Sequence, residues 1–375
     1  MKFSVERDIL ADAVAWASRA VPHRPPVPVL AGVLIEADTA GVVTLSSFDY
    51  EVSARGEFPA DVETAGSVLV SGRLLREIAN ALPHKLVRFD LEGTKVSVTC
   101  GASRFSLATM PVDQYPALPV MPETSGTIDG AELLAAAQQV QAAASRDETL
   151  PILTGVRMEI EGERISLLAT DRYRLALREL TWKPGSPDIS AVALVRAKTL
   201  ADTAKALGSG QVQLALSSGQ GVDLIGFSAG GLVTTSLLMD GEYPQVRRLF
   251  PESSTITAVV STAELIEATK RVSLVAERNA AVRLVFSEGE LVLDAGHTDD
   301  AQASEAIEAT VEGGEITVAF NPSFLLDGLS ALDAPYVRMG FTQDTKPVDF
   351  VGLDKPDGTP KSEFRYLLVP IRIAG

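Results

Sequence analysis

The 375-residue sequence has one cysteine, Cys100, and three histidines. A single thiol cannot close an internal disulfide or build a cysteine-rich metal site, which suits a reducing compartment, and Cys100 reads as a small buried strand residue. His23 and His84 stand beside prolines with no metal-ligand spacing between them, as solvated loop residues do. Long apolar runs are also missing. No stretch approaches the ~18–20 apolar residues of a membrane span, and the opening MKFSVERDIL has no leader-like apolar core, so a soluble cytoplasmic protein is expected. Basic residues are in deficit, 33 against 49 acidic, for a net charge of −16. On average that opposes nucleic acid and anionic membranes. An acidic exterior can nevertheless coexist with one basic face, so the distribution decides.

Catalytic signatures are equally sparse. Gly226-Phe227-Ser228-Ala229-Gly230 matches the G-x-S-x-G nucleophile elbow, which needs a helix after it. Here LVTTSLLM follows, a strand-like run, and His297 is the only downstream histidine; a hairpin turn over Gly226 to Gly231 is the stronger reading. Gly219-Gln220-Gly221 begins like a dinucleotide loop, but Leu224 occupies the third glycine position. Asp299-Asp300 with Glu305 lacks the glycine-turned spacing of a calcium loop, and no phosphate loop with its lysine is present. The expectation is therefore a protein that is not an enzyme, with no catalytic residue, cofactor or metal.

What the sequence does contain is a repeat. Val68 to Leu82 reads VLVSGRLLREIANAL, and the same shape returns as Ala193 to Leu207 and as Val318 to Leu332. Leu82, Leu207 and Leu332 are spaced by 125 residues, one third of the chain. Each copy is a short apolar strand, a junction of small residues or proline, and about three helical turns with one apolar face. A period of 125 is that of whole domains rather than solenoid units. Each third also opens with a helix, over Glu6 to Val21, Ala131 to Ser145 and Ala263 to Ala276. Paired strand runs surround turns at Thr39-Ala40-Gly41, Glu92-Gly93-Thr94, Glu161-Gly162-Glu163 and Glu288-Gly289-Glu290, and Val42 to Ala54 reads as one run. Pro116–Gly126 and Pro244–Ser254, each bracketed by prolines, read as linkers. Domains over 1–121, 127–247 and 253–375 follow. Two helices and antiparallel strands per copy give an α+β fold with the helices on one sheet face.

Several basic residues fall on or beside these helices: Arg24, Arg73, Arg76, Arg146, Lys198 and Lys205. Ordinary helix-surface charge is the plain alternative. Their equivalence across copies points instead to one continuous face that touches phosphates without reading bases, because no recognition helix, zinc finger or aromatic stacking platform is visible. The third strand-to-helix copy, PSFLLDGLSAL, has no cation, which sets it apart.

RPPVPVL at Arg24 to Leu30, LPILTGV at Leu150 to Val156, ATDRYRLAL at Ala169 to Leu177, DGEYPQVRRLFP at Asp240 to Pro251, FNPSFLLDGL at Phe320 to Leu329 and YLLVPIRI at Tyr366 to Ile373 occur in order along the chain, after MKFSVERDIL. Together they resemble the bacterial DNA polymerase III beta subunit family, the replicative sliding clamps, over essentially the whole length. That resemblance implies the DNA clamp fold, a head-to-tail homodimeric ring around double-stranded DNA, bound independently of sequence. It implies a processivity factor whose partners are the DNA polymerase III alpha subunit, the clamp loader and other proteins with a clamp-binding motif, such as repair polymerases, ligase and mismatch-repair proteins. At the subunit junction it implies Arg104, Phe105 and Leu107 against Leu274, Asp299, Asp300 and Glu305.

The resemblance further implies a protein–peptide interaction pocket at Leu153, Thr170, Tyr173, Arg174, Leu175, Pro244, Arg248, Leu249, Asn321, Phe324, Val348, Val369, Pro370, Ile371 and Arg372. Apolar and aromatic groups there form a cleft for short Gln/Leu/Phe-type peptides, with arginines at its rim. Where many family members have Gly-His, this chain has Arg172-Tyr173. The competing reading is a ring-fold scaffold that gathers peptides without being loaded on DNA.

Overall fold

The computed structural model describes residues 1–217, 223–276, 280–298 and 301–372. Among them are six α-helices: α1 Arg7–Ala17, α2 Gly72–Ala81, α3 Gly130–Gln141, α4 Ala197–Leu207, α5 Thr262–Val272 and α6 Pro322–Leu332. The repeat is visible at once. The strands Gly66–Ser71, Ser190–Arg196 and Ile316–Phe320 run directly into α2, α4 and α6. The strands Lys2–Glu6, Thr124–Asp129 and Ile256–Ser261 do the same for α1, α3 and α5.

Local chemistry sets the helix ends. Ser71 and Ser261 cap α2 and α5, each hydroxyl accepting a backbone N–H at 3.4 Å. Asn321 caps α6, its Oδ1 accepting from Ser323 N at 2.9 Å and Phe324 N at 3.3 Å, with Pro322 at the first helical position. Three helices are shorter than their sequence pattern, and α1 is the first: it stops at Ala17 and tightens into a 3-10 turn, Ser18–Ala20. α3 stops at Gln141, before Ser145. α5 stops at Val272 and tightens into a 3-10 turn, Ser273–Val275, where the Ser273 hydroxyl donates back to the Thr269 carbonyl. The run Val42 to Ala54 is likewise divided, into Val42–Phe48 and Val52–Pro59. Asp49 is the reason: its Oδ1 accepts from Glu51 N at 2.9 Å and Val52 N at 2.6 Å, which folds the chain back on itself.

The described strands form two antiparallel sheets, one of 14 strands and one of 12. Contacts divide the chain into two units. One comprises Met1–Gly130, Lys183–Ser186 and Thr203–Leu238; the other comprises Ala131–Trp182, Pro187–Asp202 and Met239–Gly375. The middle third contributes strands to both sheets. In the first unit Leu232–Leu237 pairs with Val52–Pro59, and in the second Arg174–Thr181 pairs with Lys361–Leu368. Strand pairing thus runs on from one third of the sequence into the next, which the repeat alone did not foretell.

Each unit has its own apolar interior. In the first, α1 packs on α2, and Phe3, Leu10, Val14, Val33, Ile35, Leu45, Leu75, Phe89 and Cys100 close one core in which Phe3 stacks on Phe89 at 4.7 Å. Cys100 is buried in a strand as expected. In the second, α5 packs on α6. The four glycine turns at Gly41, Gly93, Gly162 and Gly289 all hold φ between +56° and +83°, so the backbone conformation is as repetitive as the sequence. Ser228 lies inside the strand Leu224–Ala229, and the turn falls at Gly230-Gly231 before the strand Leu232–Leu237. The helix that a nucleophile elbow requires is a strand here.

Candidate functional site

The strand Arg164–Thr170 ends in a loop wired by its own side chains. Thr170 Oγ1 donates to Arg174 O at 2.6 Å and accepts from Arg172 N at 3.1 Å. Asp171 Oδ1 accepts from Tyr173 N and Arg174 N, both at 3.0 Å, and Asp171 Oδ2 takes Arg174 Nε at 2.9 Å. This network holds Arg172 at φ +82°, a left-handed conformation for a residue with a side chain. The loop leaves Tyr173 outside, 58% exposed, and draws Arg174 inside, 4% exposed.

Arg174 joins the loop to α6. Its Nη1 donates to Asp327 Oδ2 at 2.7 Å, and its guanidinium lies 4.2 Å from the centre of the Phe324 ring. Tyr173 flanks Phe324 with ring centres 6.2 Å apart. Burial works against the Arg174 charge, but Tyr366, Asp327 and Asp171 more than offset it, and its pKa stands above the ordinary arginine value. Tyr366 anchors the far side. Its buried hydroxyl donates to Phe324 O at 2.8 Å, and burial pushes its pKa well up, so it stays a neutral donor. α6 comes this close only because residue 328 is glycine; a Cβ there would stand 2.2 Å from the Tyr366 ring.

Beside this polar hub lies an apolar cluster of Leu153, Leu168, Leu175, Leu177, Leu194, Tyr243, Val246 and Leu367. Tyr243 ties it to the loop by accepting Thr170 N at 3.0 Å, with its own pKa raised by burial. The C-terminal tail then crosses the hub. Val369 N donates to Tyr173 O at 2.9 Å and Ile371 N to Ala319 O at 2.7 Å. Between these two bonds Pro370 is buried, while Val369 and Ile371 stay 37% and 40% exposed. Leu249 is 52% exposed, and Pro244, Arg248 and Arg372 are exposed with it.

The structure therefore gives the expected pocket residues different parts. Tyr173, Leu249, Val369 and Ile371 are accessible apolar surface, and Phe324 is half-buried among them. Leu153, Thr170, Leu175 and Val348 are buried support at 8%, 4%, 3% and 0% exposure. The Asn321 side chain is engaged in capping α6, so its part is to start the helix that carries Phe324. Sequence reasoning passed over Asp171, Tyr243, Asp327 and Tyr366. Asp171 had a readable signal, an Asp heading a turn; the others act across long sequence distances and had none. A separate cavity of about 410 Å³, lined by residues including Thr257, Thr310, Arg338 and Asp357, contains none of these groups.

Among the basic residues, Arg24, Arg76 and Lys205 are exposed with no side-chain partner among the described residues. Arg73 pairs with Glu77 at 3.3 Å, Lys198 with Asp202, and Arg146 approaches Asp327 at 3.6 Å while remaining 84% exposed. All three pairs are solvent-facing and weakly held.

Two open sheet edges bear most of the residues expected at a subunit junction. The strand Ser103–Met110 pairs along Ser103–Ala108 with Lys95–Cys100, while its other flank is met only at Thr109 and Met110. Arg104 and Phe105 are exposed on that edge. Leu107 is not: at 5% exposure it belongs to the core of its own unit, which corrects its reading as a contact residue. In the other unit the strand Ala301–Glu312 is met on one flank by Glu290–Thr298 and on the other only from Ala309 to Glu312. Leu274 is 83% exposed. Glu305 is already held by Arg271 of its own chain in a bidentate pair at 2.9 and 2.5 Å, so it is not a free carboxylate for Arg104. Asp299 and Asp300 lie outside the described residues. Among the described residues there is no cluster of His, Cys, Asp and Glu suited to a metal ion, and no helix is long and apolar enough to cross a membrane.

Comparison with known proteins follows the same outline. Models of the DNA polymerase III beta subunit match in order: the N-terminal domain over residues 1–119, the central domain over 127–245 and the C-terminal domain over 247–363. The beta sliding clamp of Streptomyces coelicolor is 56% identical over 377 residues, covering 100% of both chains. That of Micrococcus luteus is 61% identical over 312 residues, covering 83% of this chain and 100% of the other. The solved DNA polymerase sliding clamp of Bacillus subtilis aligns with a TM-score of 0.91 at 28% identity, covering 100% of both chains.

Proposed function

The chain belongs to the bacterial DNA polymerase III beta subunit family, and from that premise we propose that it is a beta sliding clamp, a non-catalytic processivity factor for DNA polymerase. Two copies, each of three domains over 1–121, 127–247 and 253–375, close head to tail around duplex DNA. A heterologous contact closes into a ring when its rotation allows. The open edge at Ser103–Ala108 of one copy meets the open edge of the Ala301–Glu312 strand of the other, with Arg104 and Phe105 on one side and Leu274 on the other. Arg24, Arg73, Arg76, Arg146, Lys198 and Lys205 touch phosphates without reading sequence, and topology rather than affinity retains the ring.

The surface formed by Tyr173, Leu249, Phe324, Val369 and Ile371 binds a short peptide carried by the polymerase alpha subunit, the clamp loader, or a repair polymerase, ligase or mismatch-repair protein. The observation that supports this reading best is the tail clip. The bonds Val369 N to Tyr173 O and Ile371 N to Ala319 O hold two apolar side chains out toward solvent beside an aromatic pair, where folding alone gains nothing from them. Deleting Val369–Gly375 is expected to abolish polymerase stimulation while leaving the dimer and its retention on nicked circular DNA intact. Retained stimulation would overturn the site. Failure of the intact protein to be retained on circles, with peptide binding preserved, would favour the scaffold that is not loaded on DNA.

A further inference from the structure

Arg247 adjoins two residues of the proposed peptide site, Arg248 and Leu249. It opens the 3-10 turn Arg247–Leu249, which is closed by Leu249 N to Val246 O at 2.9 Å and Phe250 N to Arg247 O at 3.3 Å. Apolar anchors flank the turn: Tyr243 and Val246 are buried in the Leu153–Leu175 cluster, and Phe250 packs against it. All three residues of the turn itself are exposed. Two backbone bonds do little to fix the direction in which so short a turn points.

Arg247 supplies what the backbone lacks. Its Nη1 donates to Glu179 Oε1 at 3.0 Å and its Nη2 to Glu159 Oε2 at 3.2 Å. These carboxylates sit in one row across three strands, because Glu159 pairs in register with Ser166 and Ser166 with Glu179. The row has internal support as well: Arg157 Nε holds Glu159 Oε1 at 2.7 Å, and Ser166 Oγ reaches Glu179 Oε1 at 3.4 Å. A planar guanidinium offers two separated N–H groups that can span such a row, whereas an ammonium is a single point charge. Beyond the turn, Arg365 fastens the same segment. Its Nη2 donates to Pro251 O at 3.1 Å and Asp349 Oδ2 at 2.7 Å, and its guanidinium stands 4.7 Å from the Phe250 ring centre. A segment whose proline-rich sequence reads as a linker is thus held down before and after the turn.

We propose that Arg247 is a positioning residue of the peptide-binding site: by bridging Glu159 and Glu179 it fixes the turn that presents Arg248 and Leu249. The inference rests on the peptide-site reading given above. Ion pairs as exposed as these add little to fold stability. Their effect is on preorganisation, since a rim residue that must be ordered during binding weakens the complex.

The test uses the full chain and a fluorescein-labelled Gln-Ala-Leu-Leu-Phe peptide, followed by anisotropy. Arg247→Ala is expected to weaken binding by about three- to tenfold, the range for ordering one or two side chains, with the thermal midpoint and dimer unchanged. Arg247→Lys falls between the two. In a Glu159→Ala, Glu179→Ala background, Arg247→Ala makes no further difference, because its anchors are gone. Unchanged affinity in Arg247→Ala, or an equal loss in the carboxylate-free background, overturns the proposal; the second result means that Arg247 touches the peptide itself. Leu249→Ala and the tail deletion are run beside these. If both bind the peptide as tightly as the unaltered chain, the site reading fails, and the role of Arg247 fails with it.

Discussion

Arg172 holds a positive φ at the lip of the proposed peptide site. A left-handed conformation costs a residue with a Cβ roughly 1–2 kcal/mol, and here the Thr170 and Asp171 side chains enforce it. Arg172→Gly removes that strain and adds chain entropy to the unfolded state, so a net gain of up to about 1 kcal/mol is expected, read as a higher thermal midpoint. An unchanged or lower midpoint would show that the loop network is relaxed as it stands. Tyr115 makes a pH prediction. Its hydroxyl oxygen accepts Phe48 N at 2.9 Å, and burial, aided by the nearby Asp49 charge, pushes its pKa up to about 12. A raised phenol pKa means that the folded state holds the proton more tightly. The stabilisation is complete below the ordinary value near 10 and is lost as pH rises through 12. Tyr115→Phe should therefore flatten the loss of stability between pH 10 and 12 by about 1–2 kcal/mol, measured by circular dichroism against the unaltered chain; parallel curves would exclude Tyr115 as the cause.

Phe105 and Leu107 share the strand Ser103–Met110 and alternate onto the same side, yet one is 37% exposed and the other 5%. The sheet edge explains the difference, because the core covers only one end of the strand. Their substitutions should separate cleanly. Phe105→Ala should yield folded monomers by sedimentation with the thermal midpoint retained. Leu107→Ala should cost about 2–4 kcal/mol of fold stability, as a truncated core leucine does, and should leave any surviving folded protein dimeric. A dimeric Phe105→Ala would move the junction off this edge. The helices carry a related lesson. Apolar spacing located all six, but α1, α3 and α5 end earlier than their patterns. At the end of α5 the Ser273 hydroxyl adds a bond to Thr269 O beside the backbone N–H that O already accepts, as the chain tightens into a 3-10 turn, and periodicity carries no record of such bonds.

For the whole molecule the relevant quantity is charge. A net charge of −16 makes general attraction to DNA unfavourable, and the cations proposed to face phosphate are few, exposed and in several cases already paired. Affinity for a linear duplex should accordingly be weak and fall steeply with salt. Retention on a closed circle should survive salt near 1 M, where the Debye length is only ~3 Å, and should end when the circle is cut. Loss from circles and linear duplexes over the same salt range would mean that binding depends on charge rather than enclosure.

The sequence by itself determined the threefold repeat, the α+β class, the strand-to-helix junctions and the family, because periodicity, turn glycines and motif order are local and survive without coordinates. It also placed Tyr173, Arg174, Phe324 and Ile371 within one candidate site through motif resemblance. Only the tertiary structure decided how these residues divide their work. Arg174 is buried and Tyr173 exposed, although they are neighbours, because Asp327, 153 residues further on, draws the guanidinium inward. Leu107 is core, Asn321 is a cap, and the proline-rich segment after Tyr243 is fastened by Glu159, Glu179 and Arg365. Each of these outcomes depends on a partner brought near by strand register or helix packing, and pairing across such distances leaves no mark in the order of residues along the chain.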